Sequence, residues 1–175
     1  MVFLDRDGVI TEERSYVKNA DEMRIYPYSK NCIEKIHEAG FLAIVITNQS
    51  GIARGYFTED DLRLMNDRLR QETGVDDIFY CPHYSNGIIE KYSIDCDCRK
   101  PKVGMIEKAC SKYAIELKNS YLIGDRESDI NAGKNAGIKT ILVRTGYGRH
   151  DEMKDIYPDY ICDDLRDAVD ICIEG

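Results

Sequence analysis

Short apolar runs alternate with stretches of helical spacing along this chain, and that alternation restricts the fold more than any other feature. Val2-Phe3-Leu4, Leu42 to Ile46, Ile78 to Tyr80, Tyr121 to Ile123 and Thr140 to Val143 are too short for helices and, Thr140 apart, apolar or aromatic. They read as strands buried on both faces, the state found in parallel sheets. Between them the spacing predicts helices over Ser29 to Ala39, closed by Gly40, and from a Thr58 cap to about Glu72. The first places Cys32, Ile33 and Ile36 on one face; the second has Asp60 and Asp61 in its positive first turn and Leu62, Met65 and Leu69 at helical spacing. Further helices are predicted over Met105 to Tyr113, Ser128 to Ala136 (ended by Gly137) and Asp163 to Ile173. The fold class is therefore α/β, a parallel sheet flanked by helices. At 175 residues it is expected to be a single domain, residues 1–175, with no room for a large second unit over the sheet.

In such a sheet ligands sit beyond the carboxyl ends of the strands, so polar residues just after each run should meet in one crevice. The first run ends in Asp5-Arg6-Asp7-Gly8, the second in Thr47-Asn48-Gln49-Ser50, the fourth in Gly124-Asp125-Arg126, with Asp129 one helical turn on. A single Asp after a strand is ordinary turn chemistry. Three converging cases make a site. Asp5 and Asp7 can face a common point that Asp125 joins, an oxygen cluster suited to Mg²⁺. Thr47 adds a hydroxyl, Asn48 to Gly51 a run of N–H groups for phosphate, and Lys100 a cation for a negatively charged transition state. A carboxylate nucleophile, a second carboxylate two residues on, Mg²⁺, a hydroxyl and a lysine match phosphoryl transfer through an aspartyl phosphate.

The rhythm breaks between Cys81 and Lys102, read as a loop insertion holding three of the seven cysteines. An odd cysteine count with no export signal at Met1 argues for reduced thiols in a cytoplasm. Cys81-Pro82-His83 and Cys96-Asp97-Cys98 form two close ligand pairs, enough to close a structural tetrahedral zinc site about the loop at 81–102. Cys32, Cys110, Cys162 and Cys172 read as small apolar residues, and His37 and His150 have no metal-spaced partners. Thirty-two acidic residues against 24 basic ones, a net charge of -8, disfavour nucleic acid and anionic membranes as partners. The longest apolar run, Phe41 to Ile46, is far below spanning length.

Phe3-Leu4-Asp5-Arg6-Asp7-Gly8, Ile46-Thr47-Asn48, Arg99-Lys100-Pro101 and Gly124-Asp125 with Asp129 resemble, in order, the four motifs of the haloacid dehalogenase (HAD) superfamily. The resemblance implies a Rossmann-like core in which Asp5 attacks phosphorus while Asp7 protonates the leaving oxygen and then activates water. It also implies Mg²⁺ held by Asp5, by Asp7 through its main-chain carbonyl, and by Asp125. Within that superfamily the insertion, with a spacer of twelve residues between its ligand pairs, resembles the zinc loop of the D-glycero-D-manno-heptose 1,7-bisphosphate 7-phosphatases. Histidinol-phosphate phosphatases typically have a shorter spacer and are the alternative. By the same resemblance, Thr47, Asn48, Gln49 and Ser50 match a phosphate and substrate segment, and Arg99 with Lys100 the pair that recognises substrate and stabilises the phosphoryl group. Glu13, Arg14, Ser15 and Tyr16 match a substrate loop less closely. Arg126 stands where Lys is common, and Arg14 and Arg126 are candidates to meet a second phosphate. The implied partner is a small phosphorylated sugar, met by a monomer.

Two other classes compete. A phospho-receiver carries its aspartate at the end of the third strand, which here ends at Tyr80-Cys81, and a degenerate binding module usually lacks one of Asp5, Asp7 and Asp125. A nucleic acid 3′-phosphatase conflicts with the charge.

Overall fold

The computed structural model describes residues 1–114 and 117–174. At its centre lies β1 (Val2–Leu4), all three residues fully buried. In chain order follow α1 (Ser29–Glu38), β2 (Ala43–Asn48), α2 (Glu59–Thr73), β3 (Asp77–Cys81), α3 (Gly104–Tyr113), β4 (Tyr121–Gly124), α4 (Glu127–Ala136), β5 (Lys139–Val143), α5 (Gly148–Asp151), β6 (Tyr160–Cys162) and α6 (Leu165–Glu174). The six strands form one parallel sheet in the order β3-β2-β1-β4-β5-β6. The α/β class and the flanked parallel sheet read from the sequence are thus observed.

The two-residue pleat divides the strand side chains between two cores. Val2, Leu4, Val45, Ile123 and Val143 pack with Ile33 and Ile36 of α1, Leu62, Met65 and Leu69 of α2, and Leu165 and Val169 of α6. Phe3, Ile44, Ile46 and Leu122 pack on the other face with Met105, Ile106 and Ala109 of α3 and Ala132 of α4. Each such side chain contributes about 1.5–3 kcal/mol by leaving water. A slip of β1 by one residue would exchange its two faces, so the register of the residues that follow it is firmly held. Thr58 caps α2 as predicted: its hydroxyl accepts from the Asp61 N–H at 3.2 Å, and the Asp61 carboxylate accepts from the Thr58 N–H at 2.8 Å.

Two boundaries and one strand bear on the comparison with the sequence reading. β2 runs on through Thr47 and Asn48, which pair with Tyr80 and Cys81 of β3 rather than lying beyond the strand. α6 starts at Leu165 instead of Asp163. β6 carries no sequence signal because it is a three-residue edge strand with Tyr160 and Ile161 exposed. The insertion is irregular apart from one 3₁₀ turn, Glu90–Tyr92. Among the described residues no helix is long and apolar enough to cross a membrane. Since β2 and β4 flank β1 on opposite sides, the chain connections diverge there and open a crevice above the carboxyl end of β1.

Candidate active site

The crevice holds about 480 Å³ and is lined by strand-end residues, the loop after β1 and the insertion. Asp5 leaves β1 directly into its floor. Three residues on, Gly8 turns the chain with φ +87°, and a Cβ there would lie 2.2 Å from Asp125 Oδ2. Glycine is needed at that crossing both for the dihedral and for the space.

Carboxylate oxygens of Asp5, Asp125 and Asp129 lie within 4.8 Å of one another, and all three residues are buried. Lys100, itself buried, reaches in from the end of the insertion. Its Nζ donates to Asp5 Oδ1 at 2.8 Å and to the Ile46 carbonyl at 2.7 Å. The same Nζ stands 2.7 Å from Asp129 Oδ1, an ion pair that lacks the alignment of a hydrogen bond. Asp129 Oδ2 accepts from the Arg126 N–H at 3.0 Å, and Asp125 Oδ2 from the Tyr147 N–H at 2.8 Å. Asp125 Oδ1 is buried with no partner.

Three carboxylates thus face one ammonium, and the protonation energetics reflect it. Burial pushes Asp5 up to about 7, with Lys100 pulling down and Asp129 and Asp7 pushing further up. Asp125 rises to about 9, through burial first and then the charges of Asp5 and Asp129. Burial would lower Lys100, but the charges of Asp129 and Asp5 outweigh it and hold the ammonium above its ordinary range. An orphaned buried oxygen among hard, crowded carboxylates fits a divalent cation such as Mg²⁺.

Asp7 does not belong to that triad; Asp129 takes the place that the sequence spacing gave it. Its carboxylate accepts from Arg6 Nη2 at 2.9 Å, the Thr11 hydroxyl at 3.2 Å and Gln49 Nε2 at 2.9 Å. β1 ends at Leu4 and Arg6 already lies in a turn, so the two-residue alternation no longer aligns Asp7 with Asp5. Gln49 also donates to Thr47 Oγ1 at 2.9 Å, joining the second motif to the first. Asn48 accepts from the Lys100 N–H at 3.0 Å and donates to the Lys100 carbonyl at 3.1 Å, which fixes the lysine backbone to the end of β2.

The remaining sequence candidates divide. Glu13, Ser15, Tyr16, Ser50, Arg99 and Arg126 line the crevice, while Arg14 is exposed and does not. Arg126 lies 3.7 Å over the Tyr147 ring and 3.6 Å from Glu13 Oε2. Arg54, Tyr84 and Tyr147 also line the crevice, and the sequence reading had not singled them out. Arg54 lies seven residues beyond Thr47, in the segment that leaves the end of β2, and that proximity is its one sequence signal; Tyr84 and Tyr147 carry none.

Beside the crevice, Cys81, His83, Cys96 and Cys98 bring one donor atom each within 4.8 Å of the others. Cys98 Sγ lies 3.1 Å from Cys81 Sγ, 3.3 Å from Cys96 Sγ and 3.4 Å from His83 Nδ1. A tetrahedron with Zn–S bonds of about 2.3 Å has S···S edges of about 3.8 Å, so three thiols and an imidazole at these spacings fit zinc after a slight expansion. All seven cysteines are free; Cys32, Cys162 and Cys172 are buried and Cys110 is half-buried, as their apolar reading requires. His37 and His150 instead meet Asp76 and Asp151.

A family profile described as HAD-hydrolase-like matches residues 97–168. D-glycero-alpha-D-manno-heptose-1,7-bisphosphate 7-phosphatase of Photorhabdus laumondii is 49% identical over 156 residues, covering 84% of each chain. D-glycero-beta-D-manno-heptose-1,7-bisphosphate 7-phosphatase of Haemophilus influenzae is 38% identical and covers 95% of this chain and 92% of its own. The crystal structure of D,D-heptose 1,7-bisphosphate phosphatase from B. bronchiseptica, complexed with magnesium and phosphate, superposes with a TM-score of 0.88 at 31% identity, covering 99% of this chain and 97% of that one.

Proposed function

We propose an activity on one premise: the chain belongs to the family of HAD-like D-glycero-D-manno-heptose-1,7-bisphosphate 7-phosphatases. It is a phosphomonoesterase that removes the 7-phosphate of a D-glycero-D-manno-heptose 1,7-bisphosphate. The observation that carries this reading is the buried Asp5, pinned at 2.8 Å by Lys100 and crowded by Asp125 and Asp129 at the floor of a small polar crevice.

Asp5 forms a bond from its carboxylate oxygen to phosphorus as the ester P–O bond breaks, and Asp7 passes a proton to the departing sugar oxygen. Asp7 then takes a proton from water, whose oxygen attacks phosphorus and frees Asp5 as inorganic phosphate leaves. Lys100 offsets the charge on the transferring group, and Thr47 with the N–H groups of Asn48 to Ser50 holds its oxygens. Asp5, Asp125 and the Asp7 main-chain carbonyl would hold Mg²⁺, which when bound neutralises phosphate charge. Cys81, His83, Cys96 and Cys98 would hold zinc in a closed, structural site, and Arg99 with Glu13, Ser15 and Tyr16 grips the substrate. The net charge of -8 favours this small substrate over nucleic acid, and the free cysteines favour a reducing cytoplasm. The acting unit in this reading is a monomer.

The test is phosphate release by purified protein in Mg²⁺ from the alpha and beta anomers of the heptose bisphosphate and from histidinol phosphate. A heptose bisphosphate is expected to be the preferred substrate, and Asp5→Asn to lower its turnover about 10³-fold or more with the far-UV circular dichroism retained. Equal release by both proteins removes Asp5 as nucleophile; preference for histidinol phosphate removes the heptose reading.

A further inference from the structure

Four arginines line the crevice, and two of them have carboxylate partners: Arg6 pairs with Asp7 at 2.9 Å and Arg126 with Glu13 at 3.6 Å. Arg54 and Arg99 have none within 4.0 Å among the described residues, in a chain with 32 acidic side chains. Both guanidiniums instead meet one ring. Arg54 Cζ lies 4.0 Å and Arg99 Cζ 5.3 Å from the Tyr84 centroid, and Tyr16 closes on Arg54 from a second direction at 5.8 Å. Arg54 Nε is buried and has no hydrogen-bond partner. Arg99 spends a single N–H on the His83 carbonyl, at 3.2 Å.

This arrangement is held by the backbone. The Ala53 carbonyl accepts from the N–H groups of Ile88 and Ile89 at 2.8 and 3.0 Å, which clips the insertion to the residue preceding Arg54. Gly87 passes so close that a Cβ there would lie 2.6 Å from the same carbonyl oxygen. Tyr84 follows the cluster member His83, and Arg99 follows Cys98, so the cysteine cluster anchors both. Stacking on a ring holds a guanidinium by its face and leaves its N–H edge free. Two guanidiniums on one ring repel unless an anion lies between them, and their free edges suit a phosphate.

We propose that Arg54, mounted on Tyr84 beside the substrate-recognising Arg99, seats the second, non-reacting phosphate of a sugar bisphosphate and so sets the preference for a bisphosphate over a monophosphate. The proposal rests on the bisphosphatase reading above. It moves the second phosphate away from Arg14, which is outside the crevice, and from Arg126, whose guanidinium already has the Glu13 carboxylate at 3.6 Å.

The experiment measures kcat and KM for heptose 1,7-bisphosphate and for heptose 7-phosphate with wild type, Arg54→Gln and Arg54→Lys. The bisphosphate-to-monophosphate ratio of kcat/KM is expected to fall about tenfold to a hundredfold in Arg54→Gln, the range for a lost charged hydrogen bond, mainly through KM. Arg54→Lys should restore part of it. A ratio within about twofold of wild type, including the case where both substrates slow equally, overturns the seat; should Arg54→Gln fail to fold, the same threshold is applied to Arg54→Lys. Wild-type preference for the monophosphate overturns both the seat and the bisphosphatase reading. A bisphosphate preference kept by wild type and variants alike overturns the seat alone.

Discussion

The four donors of the cysteine cluster come from one stretch, Cys81 to Cys98, whereas the three crevice carboxylates come from opposite halves of the chain, Asp5 from one and Asp125 and Asp129 from the other. The first set is soft and local. Short spacing brings its atoms together once β3 ends, and burial pushes the Cys81 and Cys98 thiols up, so without metal these two sites stay neutral by keeping their protons. The second set is hard and assembled by strand order, and its burial leaves charge that one ammonium only partly offsets. One cluster therefore favours the fold when filled, while the other strains the fold in order to be reactive.

Lys100 is where that contrast is easiest to break. Lys100→Met would leave Asp5 and Asp129 facing each other without their shared cation, and kcat for phosphate release is expected to fall about 10²- to 10³-fold. An unchanged kcat would mean that the ammonium serves only folding. The zinc side is sharpened by Cys96→Ser, which should reduce bound zinc by elemental analysis and lower the melting temperature. A deficit of about 3 kcal/mol corresponds to about 6–12 °C in a domain of this size. Normal zinc content and melting would end the structural assignment.

The smallest expected effect is a pH dependence specific to the carboxylates. Asp5 at about 7 and Asp125 at about 9 lie above their ordinary range in the folded state. A carboxyl whose folded value is raised takes up a proton on folding, so its favourable contribution is present at low pH and is lost as pH climbs from about 4 through those values. Protein stripped of divalent cations should therefore melt several degrees lower at pH 8.5 than at pH 6, and Mg²⁺ should remove most of that slope. A slope unaltered by Mg²⁺ would locate its cause outside the triad.

Legibility followed the same divide. The strand runs and the α2 cap could be read because each depends on neighbours in sequence: Thr58 and Asp61 are three residues apart. β6 could not, since it pairs along one edge only and leaves Tyr160 and Ile161 in water. Asp7 illustrates a site residue whose presence was evident and whose direction was not; its carboxylate meets Arg6, Thr11 and Gln49 because the backbone already turns at Arg6. Arg54 stands in the stretch Thr47 to Gly55 that resembles the family, but its role is not legible there, because a guanidinium becomes notable only when its surroundings lack a carboxylate, a fact about space.

By itself the amino-acid order determined the α/β class, the three polar strand ends and the two close ligand pairs, one Cys-His and one Cys-Cys, because periodicity, turns and close ligand spacing are short-range properties. Only the tertiary structure decided that Asp129 joins Asp5 and Asp125, that Lys100 stands between Asp5 and Asp129, and that Tyr84 carries two unpaired guanidiniums. Each of these depends on strand order, burial and the docking of the insertion on Ala53, and electrostatic energies depend on distances that residue numbers do not contain.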